Sequence, residues 1–320
     1  MGLRIVSAAI AVPPTVETAA DLAKEISMSA SWIERHTGVI RRHVADPDLQ
    51  LPSLAAEAAR LALADDGPPD LILNASASQH QLLPDTSVFV QQELGLTGIA
   101  SYSVHAACIS FLMSLQVADA LLAAGAYRRI LICSAELASR SRNYRDPETA
   151  ALLGDGAAAA VVQRDDSSAG LRQFAMRVAP EDAELSGVRS GGLGRHPLDP
   201  NTRPEDYLFH MQGREVYRST RPRLIQMIDE VLGNANLTLQ DINLVIPHQA
   251  SGPGLKLLER LGFAPQRIVN IIADYGNCVA ASIPMALAVA MQQNRLKPGD
   301  HVLFVGAAAG LSVGVALLEW

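Results

Sequence analysis

The sequence predicts an α/β fold made of two similar halves, with sheets covered on both faces. Three observations carry this. Short uninterrupted apolar runs recur, as in Asp70-Leu-Ile-Leu-Asn-Ala-Ser76, Arg129-Ile-Leu-Ile-Cys-Ser134 and His301-Val-Leu-Phe-Val305. Strands buried on both faces read this way, because neither side meets water. Segments of helical periodicity alternate with them, at Ser53–Asp65, Thr86–Leu94, Gly213–Gly233 and Val279–Gln293. The plan then repeats itself along the chain.

In the first half the strand Asp70–Ser76 is followed by a turn of small residues at Cys108, which opens an apolar helix. Strand Arg129–Ser134 and the turn and strand Gly154-Asp-Gly-Ala-Ala-Ala-Ala-Val-Val162 follow. In the second half, Asn243–Ser251 is the strand and Asn277 lies in the turn before the next helix. His301–Val305 and the Gly306-Ala-Ala-Ala-Gly310 turn complete it. Cys108 and Asn277 are therefore expected at equivalent positions. The halves are set at residues 1–165 and 166–320, meeting in the polar stretch Arg164–Ala169. Ser186–Asn201 is rich in Gly and Pro and reads as a substrate-shaping insert or a surface loop.

Composition excludes several classes. The 320 residues are 49 % hydrophobic, enough for a large core, and carry a net charge of −7. That charge gives no global support to nucleic-acid binding. Three cysteines, Cys108, Cys133 and Cys278, make neither a disulfide framework nor a metal cluster, so no metal is expected and a reducing cytoplasm is the natural setting. The N-terminus shows no signal-peptide pattern. Two stretches imitate membrane spans. The first, 106–126, contains Gln116 and Asp119, which are costly in lipid. The second, 302–318, has a Gly-Ala turn at its centre and reads as two buried strands.

Chemistry concentrates at three turns. Tyr102-Ser-Val-His-Ala-Ala-Cys-Ile-Ser-Phe-Leu-Met-Ser-Leu115 places the Cys108 thiol near a helix N-terminus. Backbone N–H groups and the positive helix end favour a thiolate there, so its pKa is expected to fall. Ile246-Pro-His-Gln-Ala-Ser251 puts His248 at a strand end, and Asp274-Tyr-Gly-Asn-Cys-Val-Ala-Ala-Ser-Ile-Pro284 puts Asn277 in a turn. Cys, His and Asn on three such turns suit covalent acyl chemistry. His105, Cys133 and Cys278 read as structural.

Six ordered segments resemble one family. Trp32-Ile-Glu-Arg-His-Thr-Gly-Val-Ile-Arg-Arg-His43, the Cys108 turn, Gly154-Asp-Gly-Ala157, Met211-Gln-Gly-Arg-Glu-Val-Tyr217, His248-Gln-Ala and Gly276-Asn-Cys-Val-Ala-Ala-Ser-Ile-Pro284 resemble the β-ketoacyl-acyl-carrier-protein synthase III group of the thiolase superfamily. The resemblance implies a five-layered α/β/α/β/α thiolase-like fold in a homodimer. It implies Cys108 as nucleophile, His248 and Asn277 as donors to a carbanion, and an oxyanion hole from the backbone of Cys108 with Ala309 or Gly310. It implies substrate contacts at Trp32, Leu83, Leu153, Gly213, Tyr217 and Ser251. No permanently bound cofactor is implied; acyl-CoA or phosphopantetheine thioesters are the substrates, and acyl carrier protein is a partner.

The implied reaction is acyl loading on Cys108, then decarboxylative Claisen condensation with a malonyl- or β-ketoacyl-type thioester. Two other readings stay open: an acyltransferase of the same fold acting without decarboxylation, and a non-catalytic partner subunit. Departures from the family pattern concern substrate. Leu83 stands where an aromatic residue would reach across the dimer. His36 replaces an arginine, Pro147 stands where another would clasp coenzyme A, and Ala307-Ala308-Ala309 replaces a glycine run. These favour carrier-protein delivery and a specialised lipid or secondary-metabolite pathway over housekeeping initiation of fatty acids, within the fatty-acid and polyketide biosynthesis that the resemblance implies. Arg214, Arg218 and Arg221 fall at i, i+4 and i+7 on one predicted helix and form a candidate carrier-docking stripe.

Overall fold

The computed structural model describes residues 2–64, 66–165 and 169–320; part of the expected junction at 164–169, and residue 65 of the expected 53–65 helix, lie outside them. Two sheets organise the chain. The first has the order Gly2–Ala11, Asp155–Asp165, Arg129–Leu137, Leu71–Asn74, Ala100–Ser103. The second runs Leu244–Pro247, His301–Ala308, Ser312–Glu319, Gly170–Val178. Each contains a parallel pair, Leu71–Asn74 with Arg129–Leu137 and Leu244–Pro247 with His301–Ala308, continued by two antiparallel strands. The first sheet adds Ala100–Ser103 as a parallel edge.

Strand alternation sorts the side chains into layers, because successive residues point to opposite faces. Leu71 and Leu73 join a central core while Ile72 joins an outer one. Val302 and Phe304 face the same central core, and Leu303 and Val305 face away. Helices Ser110–Ala123 and Ser282–Gln292 contribute Phe111, Leu115, Met285 and Leu287 to that central layer. Both are apolar nearly all round, as a helix enclosed by two sheets requires. Helix Leu51–Leu63 covers the first sheet from outside. Helices Gly213–Asn234 and Gly252–Arg260 cover the second. The order is α/β/α/β/α, as the sequence led us to expect.

The predicted helices appear with small shifts. Val279–Gln293 divides into a 3₁₀ turn, Val279–Ala281, and the helix Ser282–Gln292. The 306–310 segment ends strand His301–Ala308 and turns into its antiparallel partner. No helix among the described residues is long and apolar enough to cross a membrane.

One positional expectation is corrected. The turn before helix Ser110–Ala123 is Ala107–Ile109, and the matching turn is Val279–Ala281. Each opens on a residue of positive φ, Ala107 at 48° and Val279 at 44°. Counting from the two helix starts, Ser110 and Ser282, Cys108 matches Ala280 and Asn277 matches His105. Cys108 and Asn277 are not equivalents. The helix start fixes the repeat, and the two residues lie at different distances from it.

Candidate active site

The Ala107–Ile109 turn packs against both the Val279–Ala281 turn and strand His301–Ala308. This brings the ends of the two halves together. A cavity of about 860 Å³ opens there, and Cys108, His248 and Asn277 all line it. Ala307, Ala308 and Ala309 form another part of its wall.

Cys108 is partly exposed, two residues before its helix begins. Its own backbone N–H and that of Ala309 lie near the sulfur and favour the thiolate. Even so, the thiol is pushed up to about 12, chiefly by burial and further by the Glu136 carboxylate. The expected depression of its pKa is thus overturned. Desolvation penalises the thiolate more than the backbone donors and helix end favour it. The resting site holds a neutral thiol.

His248 follows strand Leu244–Pro247, and its N–H donates to the Val305 carbonyl at 2.8 Å. Gln249 secures the turn: its amide donates to the Pro247 and Val269 carbonyls and accepts from Ile271 N–H. Burial holds the His248 imidazole down at about 4, so it is neutral at physiological pH. Its Nδ1 is enclosed and finds no partner among the described residues. A buried lone pair is easier to leave unpaired than a buried N–H, so we assign the proton to Nε2.

Asn277 has a fixed amide. Val279 N–H donates to its Oδ1 at 2.9 Å, and its Nδ2 donates to the Ala250 carbonyl at 3.3 Å. An Asn amide carries two N–H donors, so one remains for the cavity. The backbone is held as well: Asn277 N–H donates to the Leu152 carbonyl at 2.8 Å, and Gly154 N–H donates to the Asn277 carbonyl at 3.1 Å.

Of the remaining expected site residues, Trp32, Gly213, Tyr217 and Ser251 line the cavity. The Trp32 ring stacks on His36, with centroids 4.4 Å apart. Ser251 caps helix Gly252–Arg260 by accepting from Gly254 N–H. Leu153 is not part of the lining. It is buried and bridged to Asn277, and its neighbour Leu152 borders the cavity instead. Of the residues expected to form the oxyanion hole, Cys108 and Ala309 line the cavity and Gly310 lies beyond it. Leu83 is 84 % exposed and lies off this chain's own cavity. Arg214 and Arg218 border the mouth, while Arg221 is exposed outside it. Cys133 and Cys278 are buried. His105 ties its loop to the Ala77 carbonyl through Nε2 at 2.9 Å. The loop expected to shape substrate contributes Ser186 to the wall, and Phe209 and Met211 join it from the segment that follows.

Sequence reasoning missed Glu136. It is fully buried and accepts from Ser78 Oγ and from the N–H groups of Ala77 and Ser78, and the nearby Ala280 N–H also favours its charged form. Burial nevertheless raises its carboxyl to about 7. A lone carboxylate in the mostly apolar strand Arg129–Leu137 was the available signal. Among the described residues, no group of three or more His, Cys, Asp or Glu is placed to hold a metal ion.

Comparison with known proteins places the chain. Residues 102–180 match the model of 3-oxoacyl-(acyl-carrier-protein) synthase III, and residues 232–320 match the model of its C-terminal part. A β-ketoacyl-(acyl-carrier-protein) synthase III of Nitratidesulfovibrio vulgaris is 35 % identical over 319 residues, covering 96 % of each chain. The crystal structure of 3-oxoacyl-(acyl-carrier-protein) synthase III from Aquifex aeolicus superposes with a TM-score of 0.90 at 29 % identity, covering 100 % of both chains. The priming β-ketosynthase of a polyketide biosynthetic pathway gives 0.90 at 26 % identity, covering 99 % of this chain and 96 % of that one. This chain belongs to the 3-oxoacyl-(acyl-carrier-protein) synthase III family of condensing enzymes.

Proposed function

We propose that the chain loads an acyl group on Cys108 and extends it by decarboxylative Claisen condensation with a malonyl-type thioester. The observation that carries this reading is the single cavity lined by Cys108, His248 and Asn277. In loading, the Cys108 sulfur attacks the acyl thioester carbonyl, the carrier thiol leaves, and the Cys108 proton goes to it. The N–H groups of Cys108 and Ala309 hold the tetrahedral oxyanion. In condensation, the malonyl carbon–carbon bond breaks, carbon dioxide leaves, and its electron pair forms an enolate. Asn277 Nδ2–H and His248 Nε2–H donate to that enolate oxygen. A donor of this kind is typically worth about 10²–10³ in rate. The carbanion attacks the acyl-thioester carbon, and the released Cys108 sulfur recovers a proton. A neutral His248 suits this role, since it donates without competing as a base.

The finer assignments are also proposals. The missing arginines beside Trp32 support delivery by a carrier protein, with Arg214, Arg218 and Arg221 as its docking stripe. The exposed pair Leu82 and Leu83 supports a homodimer in which Leu83 lines the partner's acyl tunnel. The substitutions near the pocket support a specialised pathway, and three free thiols fit a cytoplasmic setting. Repeated strand order supports descent from a duplicated half, divided at 165/166.

The test separates the two half-reactions. Cys108→Ala should abolish acyl-enzyme formation by intact-mass analysis. Asn277→Ala should still load acyl groups and lose most malonyl decarboxylation. Acylation persisting on Cys108→Ala would sink the nucleophile. Unchanged decarboxylation in Asn277→Ala would favour acyl transfer without condensation. No acylation of the wild type by any thioester would favour the non-catalytic reading.

A further inference from the structure

Two arginines with no part in the chemistry above sit directly behind Asn277. Arg42 is fully buried and Arg142 is 3 % exposed. Arg42 Nη1 donates to the Ala151 carbonyl at 2.7 Å. Arg142 donates to the Leu153 carbonyl through Nε at 3.2 Å and Nη2 at 2.6 Å. Those carbonyls flank Leu152, whose own carbonyl accepts the Asn277 N–H. Gly154, next in the chain, donates to the Asn277 carbonyl. A Cβ at Gly154 would lie 3.2 Å from the Arg42 Cβ, so the arginine stem also packs against this segment.

From this arrangement we infer that Arg42 and Arg142 are positioning residues for Asn277, holding the 151–154 segment so that the Asn277 amide faces the cavity. The inference rests on the role proposed above for Asn277.

The electrostatics argue against simple space filling. The two guanidinium groups share one nearby carboxylate, Glu17, at 2.8 Å from Arg142 and 3.7 Å from Arg42. Nε and Nη2 of Arg42 find no hydrogen-bond partner among the described residues. Burial and then the charge of Arg142 push Arg42 down to about 10, while Glu17 opposes them. An apolar residue of similar volume would avoid these costs. It could not, however, hold a backbone carbonyl. A rigid guanidinium can anchor that carbonyl from a fixed direction, and two of them fix both sides of Leu152.

The test uses the full chain with Arg42→Met and Arg142→Met, each measured three ways. Hydrogen exchange reads the Asn277 backbone N–H, which the Leu152 carbonyl holds. Intact mass reads acylation of Cys108. Carbon dioxide release reads malonyl decarboxylation. We expect Asn277 exchange to rise by about tenfold or more and Cys108 loading to stay within about twofold. Decarboxylation should fall by about 10- to 100-fold, the scale of a small misplacement of a catalytic group. Arg42→Lys and Arg142→Lys, which keep one donor, should recover part of the loss. They also carry the test if a Met variant does not fold. Unchanged exchange at Asn277 would overturn the inference, as would parallel loss of loading and decarboxylation. If the wild type releases no carbon dioxide, the proposed reaction fails, and exchange at Asn277 alone decides whether the arginines position it.

Discussion

The Ala280 N–H of the second half lies near the buried Glu136 carboxylate of the first and favours its charged form, where strand Arg129–Leu137 packs on the turn that matches the Cys108 turn. The same carboxylate raises the Cys108 pKa, so one buried charge links the seam between halves to the reactivity of the thiol. Glu136→Gln keeps the shape and removes the charge. Alkylation of Cys108 by iodoacetamide at pH 8 should accelerate, by about tenfold for each pKa unit by which the thiol falls. The stability effect has a definite sign. Glu136 is raised to about 7 from an ordinary 4.5, so its protonated form is favoured in the folded state. That contribution is complete below about 4.5 and is lost as pH rises through about 7. Glu136→Gln should therefore gain stability relative to wild type at pH 8 and show less gain at pH 5. Denaturant midpoints at the two values check this, and a larger gain at pH 5 would contradict it.

His248 gives a second pH dependence. Its folded pKa, about 4, lies below the ordinary 6.5, so between these values the unfolded chain binds the extra proton. Stability from this group is full above about 6.5 and falls as pH drops through about 4. The acid limb of malonyl decarboxylation due to His248 should lie near 4. A limb near 6.5 that disappears in His248→Asn would show an imidazole that is not desolvated.

The arginine stripe divides by position. Arg214 and Arg218 border the cavity and Arg221 does not. Arg221→Glu should weaken use of carrier-bound substrates, increasingly so at low salt, where charge steering is strongest. Short synthetic thioesters should be used as before. Arg214→Glu and Arg218→Glu should impair both. Equal loss with both donors in Arg221→Glu would exclude a docking role for that residue.

Leu83 tests the homodimer. The side chain is 84 % exposed on a single chain, an unusual state for a leucine beside a second exposed leucine, Leu82. If it enters the partner's tunnel, Leu83→Phe adds volume to a packed pocket, at a typical cost of about 1–3 kcal/mol. The longest acyl chain accepted should shorten, while acetyl loading stays. A series of acyl thioesters read as acyl-enzyme yield, with the dimer confirmed by sedimentation, decides it. An unchanged length profile would remove Leu83 from the tunnel.

Much of the architecture was legible because it depends on patterns the chain displays. Apolar strand runs, helical periodicity and the repeated plan led to sheets covered on both faces, and the family resemblance supplied their five-layered order. The convergence of Cys108, His248 and Asn277 was legible for a related reason: each stands where a strand or turn meets a helix. What escaped depends on distances through space. The thiol pKa moved opposite to expectation because local backbone donors can be read from sequence, while the burial that opposes them cannot. Leu153 and Leu152 exchanged places because a turn, not a regular strand, decides which of two neighbours borders the cavity. Arg42 and Arg142 are separated by a hundred residues in sequence, and only the carbonyls of the 151–154 segment and the shared Glu17 carboxylate relate them.

The central layer has a further consequence. Helices Ser110–Ala123 and Ser282–Gln292 are at once the middle of the core and the extensions of the two reactive turns. Repacking between the sheets is therefore transmitted to the spacing between sulfur and amide as a rigid displacement of a helix end. In such a molecule tolerance is divided unequally. The outer helices can absorb sequence drift as local adjustment, whereas an inner substitution changes the gauge to which the cavity is built.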